Sequence, residues 1–119
     1  MMEIKLFPRT ILLNALPLNS IKYTYFNVYC RRTSLQSIVD IIKHSLKLEN
    51  YIRHESTVRF LSRALNLEIK PSSETYEYRD GDVLTIITLK KPIRGQEVEV
   101  REEDLDYFIC LVGQGVQHI

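Results

Sequence analysis

The hydrophobic residues of this chain alternate between short strand-like runs and stretches with helical spacing, and this alternation most constrains the fold. Residues 11–16 form an aliphatic run that Pro17 interrupts, which is typical of a buried central strand followed by a loop. Residues 21–29 are rich in aromatic and β-branched side chains and predict a second strand. Strands interleaved with helices in this way favour an α+β fold.

Two amphipathic helices are predicted after these strands. Thr33 and Gln36 have the spacing of a capping box, and the hydrophobic positions that follow recur at helical intervals to about Lys47. After a short extended segment, Ser56 is a suitable N-cap for a second helix with its apolar positions in residues 58–65.

The second half of the chain predicts further strands. Residues 74–78 and 83–89 are strand candidates, and the polar turn at residues 79–82 joins them into a predicted hairpin. Residues 101–107 predict a short acidic helix, and residues 108–112 predict a last strand.

The composition fits one globular domain. The chain has 119 residues, of which 45% are hydrophobic and 26% charged, so it can bury one core but leaves no room for a second domain. We expect that core to lie within residues 10–112, with a disordered polar tail at residues 113–119.

The charge balance excludes several partners. Sixteen basic and fifteen acidic residues give a net charge of +1, so no global charge attracts duplex nucleic acid or an anionic membrane. A bound anion must therefore be held locally. No apolar stretch approaches membrane-spanning length, and we expect a soluble, cytoplasmic protein.

Neither cysteine indicates a metal site. Cys30 and Cys110 are far apart and each lies in an apolar, strand-like run, which predicts two buried thiols in a reducing compartment. Clustered His and Cys spacing is absent, so we expect neither metal nor cofactor.

His54 has the most suggestive setting of the three histidines. It is predicted just before a helix, whose first turn offers N–H groups and a positive dipole end that bind phosphate, with the hydroxyls of Ser56 and Thr57 beside them. An imidazole there could exchange protons with a bound phosphodiester. The alternative is a surface residue that braces a loop. His44 and His118 are expected to be solvated.

Other polar positions have two open interpretations. Asn14, at the end of a buried strand, contacts a ligand or caps a turn. Arg53 adds a fixed charge beside His54, and Lys90 with Lys91 forms an anion clamp or a solvated strand end. Three tyrosines stack nucleobases or belong to ordinary sheet surface or core: Tyr23, Tyr25 and Tyr29.

The order of these segments resembles the viral ring nucleases, anti-CRISPR proteins of archaeal viruses and phages that destroy the cyclic tetra-adenylate messenger of type III CRISPR defence. The resemblance spans residues 12–112. It depends on Leu-Leu-Asn-Ala-Leu at residues 12–16 and His-Glu-Ser-Thr at residues 54–57. A basic residue four before Gly95 and the acidic segment at residues 101–105 complete it.

This resemblance implies a mixed sheet flanked by helices, assembled as a two-fold homodimer with cyclic tetra-adenylate at the interface. A ring of four identical nucleotides can present the same face to both subunits. If the protein is viral, its location is the host cytoplasm.

The implied reaction is metal-independent. An adenosine 2′-hydroxyl attacks its own 3′ phosphodiester, and His54, which matches the acid position of the family, protonates the departing 5′ oxygen. Lys91 occupies the position of a family arginine and is the second implied catalytic residue. The products are linear oligoadenylates with cyclic 2′,3′-phosphate ends.

The basic residues differ from the family pattern. Lys91 replaces the arginine, Arg94 replaces an acidic residue, and Arg53 replaces the glycine before the histidine. We interpret these changes as positive charge that has moved around a retained anionic ligand; divergence toward another ligand or none is the alternative. The resemblance implies Asn14, Leu16, Asn19, Ser56 and Thr57 as ligand-binding residues, and Arg53 and Arg94 are predicted to bind the ligand in place of the lost family arginines.

Two hypotheses from other classes stay open. The protein could bind a cyclic oligonucleotide without cleaving it, or it could be a small protein-interaction module that holds no nucleotide. A DNA-binding function is disfavoured because the basic residues do not cluster along a recognition helix. A metal-dependent nuclease is disfavoured because the acidic run at residues 102–104 is typical of a solvated helix face.

Overall fold

A five-stranded mixed β-sheet lies at the centre of this computed structural model, which describes residues 6–91 and 99–114. The sheet has the order β2-β5-β4-β1-β3, with β1 parallel to β3 and β4, and β5 antiparallel to β4 and β2. The predicted α+β fold with a mixed sheet is confirmed. The elements are β1 (Arg9–Leu13), β2 (Phe26–Thr33), α1 (Leu35–Lys43), β3 (Leu48–Asn50), α2 (Glu55–Leu65), β4 (Asp82–Leu89) and β5 (Leu105–Gln114).

Both helices pack on the same face of the sheet. Ile38 of α1 and Leu61 of α2 are buried in one cluster with Leu12 and Ile87 of the sheet. The cluster on the other face contains no helical residue among those described and is covered by Tyr76 from the segment before β4. No helix in the described residues is long and apolar enough to cross a membrane.

The predicted central strand is confirmed, although it is displaced toward the N-terminus. β1 covers Arg9–Leu13 instead of residues 11–16, and every one of its residues is buried. This burial follows from its position, because β1 has a neighbouring strand on each edge and packed side chains on both faces.

The first helix is shorter than predicted at both ends. Ser34, and not Thr33, is the N-cap, because Thr33 is the last residue of β2 and pairs with Tyr107 of β5. The helix ends at Lys43 instead of near Lys47, because Ser45 forms an isolated parallel β-bridge with Phe7, which lies just before β1.

The second strand is displaced toward the C-terminus. It covers Phe26–Thr33 instead of residues 21–29, because all eight of its residues pair with β5. Residues 21–25 lie outside any strand.

The predicted hairpin before β4 is wrong. Residues 74–78 form no strand, because both edges of β4 are already occupied by β1 and β5. The segment lies across the sheet face instead, where Tyr76 is buried and its hydroxyl donates a hydrogen bond to Asp82 at 2.5 Å.

The predicted acidic helix at residues 101–107 is also wrong. Only Glu102–Asp104 form a single 3-10 turn, and β5 begins directly afterwards because Leu105 and Tyr107 are buried in the core. The last strand predicted at residues 108–112 is the middle of the longer β5. Residues 113 and 114 of the predicted tail belong to β5, and residues 115–119 lie outside the described part of the chain.

The prediction of two buried thiols is wrong. Cys30 and Cys110 lie directly opposite each other on β2 and β5, with their Cα atoms 4.1 Å apart, and form a disulfide. Cys30 is exposed, whereas Cys110 is buried. Separate strand-like runs did not reveal that the two residues share one register.

Candidate ligand groove and the His54 helix cap

The carboxyl ends of the three parallel strands lie at one edge of the sheet. β1 leads into Asn14, β3 leads into Tyr51, and β4 leads into Lys90 and Lys91. Ligands of sheets with parallel strands commonly bind beside these carboxyl ends.

A groove of about 840 Å³ lies beside the end of β1. Its volume falls within the range of roughly 300–1,000 Å³ that is usual for small-molecule sites. Its wall contains four of the predicted ligand-binding residues: Asn14, Leu16, Asn19 and Arg53. The fold therefore brings the loop after β1 together with the segment after β3.

Two tyrosines of the groove wall were missed by the sequence analysis. Tyr51 directly follows β3, so the position after a parallel strand could have indicated it. Tyr76 lies in residues 74–78, which the sequence wrongly predicts as a strand, and no local signal indicates that it lines a groove. Burial raises the pKa of both phenols, and hydrogen bonds to Glu49 and Asp82 raise them further, so both hydroxyls stay protonated donors.

The charges along the groove are mixed. Arg53 and Lys22 supply two cations, whereas Glu74 and Glu77 supply two carboxylates. Arg53 is exposed and donates a hydrogen bond to the Ser73 carbonyl at 3.4 Å. The groove therefore offers local positive charge for an anion without forming a continuous basic surface.

His54 itself caps α2, which corrects the prediction that Ser56 is the N-cap. The Nδ1 atom of His54 accepts a hydrogen bond from the Thr57 N–H at 3.3 Å and lies 2.8 Å from Thr57 Oγ1. α2 therefore begins at Glu55, so Ser56 falls inside its first turn. One of the first-turn N–H groups that we expected to bind phosphate is thus occupied by the imidazole.

The two predicted hydroxyls of this turn already have partners within the protein. Ser56 and Thr57 are both buried. Arg59 donates a hydrogen bond to Ser56 Oγ at 3.1 Å, and Thr57 Oγ1 contacts His54.

The other predicted site residues that the structure describes do not line the groove: His54, Ser56, Thr57 and Lys91. His54 is exposed and is joined to the groove through its neighbour Arg53. Lys91 is exposed, two residues beyond the end of β4, and Arg94 lies outside the described residues.

His44 and the tyrosine stripe also lie outside this groove. His44 is exposed at the end of α1, where its Nδ1 lies 2.7 Å from the Asp40 carbonyl, and His118 lies outside the described residues. None of the three stripe tyrosines lines the groove. A hydrogen bond to Asp80 raises the pKa of Tyr23 to about 12.

Within residues 6–91 and 99–114, no three His, Cys, Asp or Glu side chains are grouped to hold a metal ion.

Comparison with known proteins assigns the chain to a family. A solved structure of B116 from Sulfolobus turreted icosahedral virus superposes with a TM-score of 0.70 at 13% sequence identity, covering 86% of this chain and 97% of that one. At this identity the likeness shows a shared fold. No curated protein matches significantly. The STIV B116-like family model, however, matches residues 10–111. The chain therefore belongs to the STIV B116-like family.

Proposed function

We propose that this protein is a metal-independent ring nuclease that cleaves cyclic tetra-adenylate in the host cytoplasm, with His54 as the general acid. One observation carries the proposal. Four of the predicted ligand-binding residues line one groove, and one of them, Arg53, is the chain neighbour of His54. The groove lies at the carboxyl ends of parallel strands, a common position for ligands.

The chemistry asks little of the protein. A 2′-hydroxyl attacks the adjacent phosphorus, so the P–O2′ bond forms and the P–O5′ bond breaks. The His54 ring gives a proton to the departing 5′ oxygen, and the proton of the 2′-hydroxyl passes to solvent. Because the nucleophile is part of the substrate, the protein mainly orients the phosphate and stabilises its charge, which are the roles proposed for Arg53 and Lys91.

A two-fold homodimer is part of the proposal. One groove of about 840 Å³ matches sites that hold a drug-sized ligand, whereas the ring carries four nucleotides. A second copy would supply an equivalent groove and match the symmetry of the ring. Light scattering measures the mass in solution, and a monomer that persists with saturating ligand would contradict this part.

The His54→Asn variant should cleave labelled cyclic tetra-adenylate much more slowly than the wild type when both are assayed in EDTA. Asparagine is among the best N-cap residues, so this variant should keep the start of α2 but cannot supply a proton. We expect cleavage to fall at least about 100-fold, the usual contribution of a general acid.

His44→Asn is the matched control, because His44 is exposed at the end of α1 and lies outside the groove. It should cleave like the wild type. Equal cleavage by wild type and His54→Asn, or no cleavage by the wild type, would contradict the catalytic proposal.

A non-catalytic binder is the second candidate, and one observation favours it. His54 is engaged as a helix cap and is not part of the groove wall. A ligand that binds only the native state raises its stability, so thermal unfolding with increasing cyclic tetra-adenylate separates the candidates. A saturable shift without cleavage supports a binder. No shift contradicts both nucleotide functions and favours a protein-interaction module.

A further inference from the structure

Thr57 was expected to contact the ligand, but its own contacts indicate a different role. We propose that Thr57 is a positioning residue, whose buried hydroxyl holds the His54 ring with Nε2 directed away from the helix in both protonation states of the imidazole. The inference deepens the proposed function, because it rests on His54 as the proton donor.

The geometry converges on one ring nitrogen. Thr57 Oγ1 lies 2.8 Å from His54 Nδ1, and the Thr57 N–H approaches the same atom at 3.3 Å. Thr57 is only 3% exposed, whereas His54 is exposed. Within the described residues, neither contact uses Nε2, so this nitrogen is left for a ligand.

The two Thr57 groups differ in what they can do. A backbone N–H can only donate, so in the helix cap Nδ1 accepts and the neutral ring carries its hydrogen on Nε2. When the ring takes up a second proton, Nδ1 becomes a hydrogen-bond donor. The Thr57 N–H cannot accept that hydrogen bond. The hydroxyl can either donate or accept, so Oγ1 can receive the Nδ1–H of the charged ring.

This second state is the one that the reaction needs. A charged imidazole that gives its Nε2 proton to the 5′ oxygen becomes neutral, whereas a neutral ring would have to become an anion. The Thr57 hydroxyl therefore keeps the ring in place while its charge changes. The neighbouring Ser56 hydroxyl is directed to another partner, since it accepts a hydrogen bond from Arg59.

The test compares Thr57→Val, Thr57→Ser and Ser56→Ala. Valine matches the shape of threonine but lacks the hydroxyl, and every variant keeps the backbone N–H at residue 57. Nitrogen-15 NMR of the protein without ligand, in acid solution where the ring is charged, reports the Nδ1–H. We expect a slowly exchanging Nδ1–H signal in wild type, Thr57→Ser and Ser56→Ala, and its loss in Thr57→Val.

Cleavage of cyclic tetra-adenylate is the second measurement. Thr57→Val should lower kcat by about tenfold, because one hydrogen bond contributes about the free energy that a tenfold change in rate requires, with an unchanged Kd for the ligand. Thr57→Ser should restore most of the rate.

The outcomes separate this inference from the proposed function. A retained Nδ1–H signal in Thr57→Val overturns the positioning role whether or not the protein cleaves the ring. A matching loss of affinity and rate in that variant overturns it in favour of a ligand contact. The expected NMR result with an inactive wild type supports the positioning of the ring and overturns the nuclease function.

Discussion

At the scale of single residues, a buried ion pair joins the first and fourth strands. Arg9 and Asp82 are register partners on β1 and β4, and two hydrogen bonds of 2.8 and 2.5 Å link their side chains, which are 8% and 3% exposed. The hydrogen bond to Asp82 raises the pKa of Arg9, so the guanidinium stays charged. The same carboxylate also accepts from Tyr76, which anchors one wall of the groove.

Asp82→Asn should be strongly destabilising, because it leaves the buried Arg9 charge with only the Glu49 carboxylate. We expect a loss of about 3 kcal/mol in the free energy of unfolding, measured by urea denaturation. The matched control is Asp106→Asn, which removes the partner of the exposed Arg32 and should cost less than about 1 kcal/mol. Similar losses in the two variants would contradict the assignment.

At the scale of secondary-structure elements, the disulfide fixes the edge of the sheet. Within the described residues β2 pairs only with β5, and the Cys30–Cys110 bond adds a covalent link between these strands. The two cysteines are 80 residues apart, so the bond closes most of the chain into a loop and restricts the unfolded state.

Cys30→Ser should therefore lower the free energy of unfolding by roughly 4 kcal/mol on the loop-entropy estimate. Cys30 is the better position to change, because it is exposed and Cys110 is buried. A reductant should destabilise the wild type by a similar amount and leave Cys30→Ser unaffected. A variant as stable as the oxidised wild type would show that the bond contributes nothing.

At the scale of the whole molecule, the tyrosine hydroxyls buried in the core make the free energy of unfolding depend on pH in alkaline solution. Burial raises the pKa of Tyr107 from 10.0 to about 12, and burial followed by the Asp82 hydrogen bond raises that of Tyr76 as well. The folded state keeps phenol protons that the unfolded state releases. This stabilisation is complete below about pH 10 and is lost as the pH rises toward about 12 and beyond.

Urea unfolding between about pH 9 and 12 should show stability that falls with pH, since unfolding releases the raised phenol protons. Tyr107→Phe should make this fall less steep. Tyr29→Phe is the control, because Tyr29 is 64% exposed, and it should keep the slope of the wild type. An identical slope in all three proteins would contradict the effect of Tyr107.

Site residues could be predicted from the sequence where a local pattern marks them, and could not where their role depends on contacts between distant segments. The local sequence pattern predicts Asn14 and Arg53 as site residues, and both line the groove. Tyr76 was missed because its contribution comes from a segment that crosses the sheet face, which local alternation cannot distinguish from a strand. Residue preferences predict Ser56 as the cap, whereas capping by His54 depends on a ring geometry that only the folded turn provides.

Hydrophobic periodicity is a local property of the chain, so it suffices to predict the class of the fold, the buried central strand and the two amphipathic helices. The folded molecule sets the strand register, and with it the Cys30–Cys110 bond and the Arg9–Asp82 pair. It also decided which strands share an edge and therefore where the groove forms. These features join residues that are distant along the chain, so their energies arise from packing and pairing that no single segment encodes.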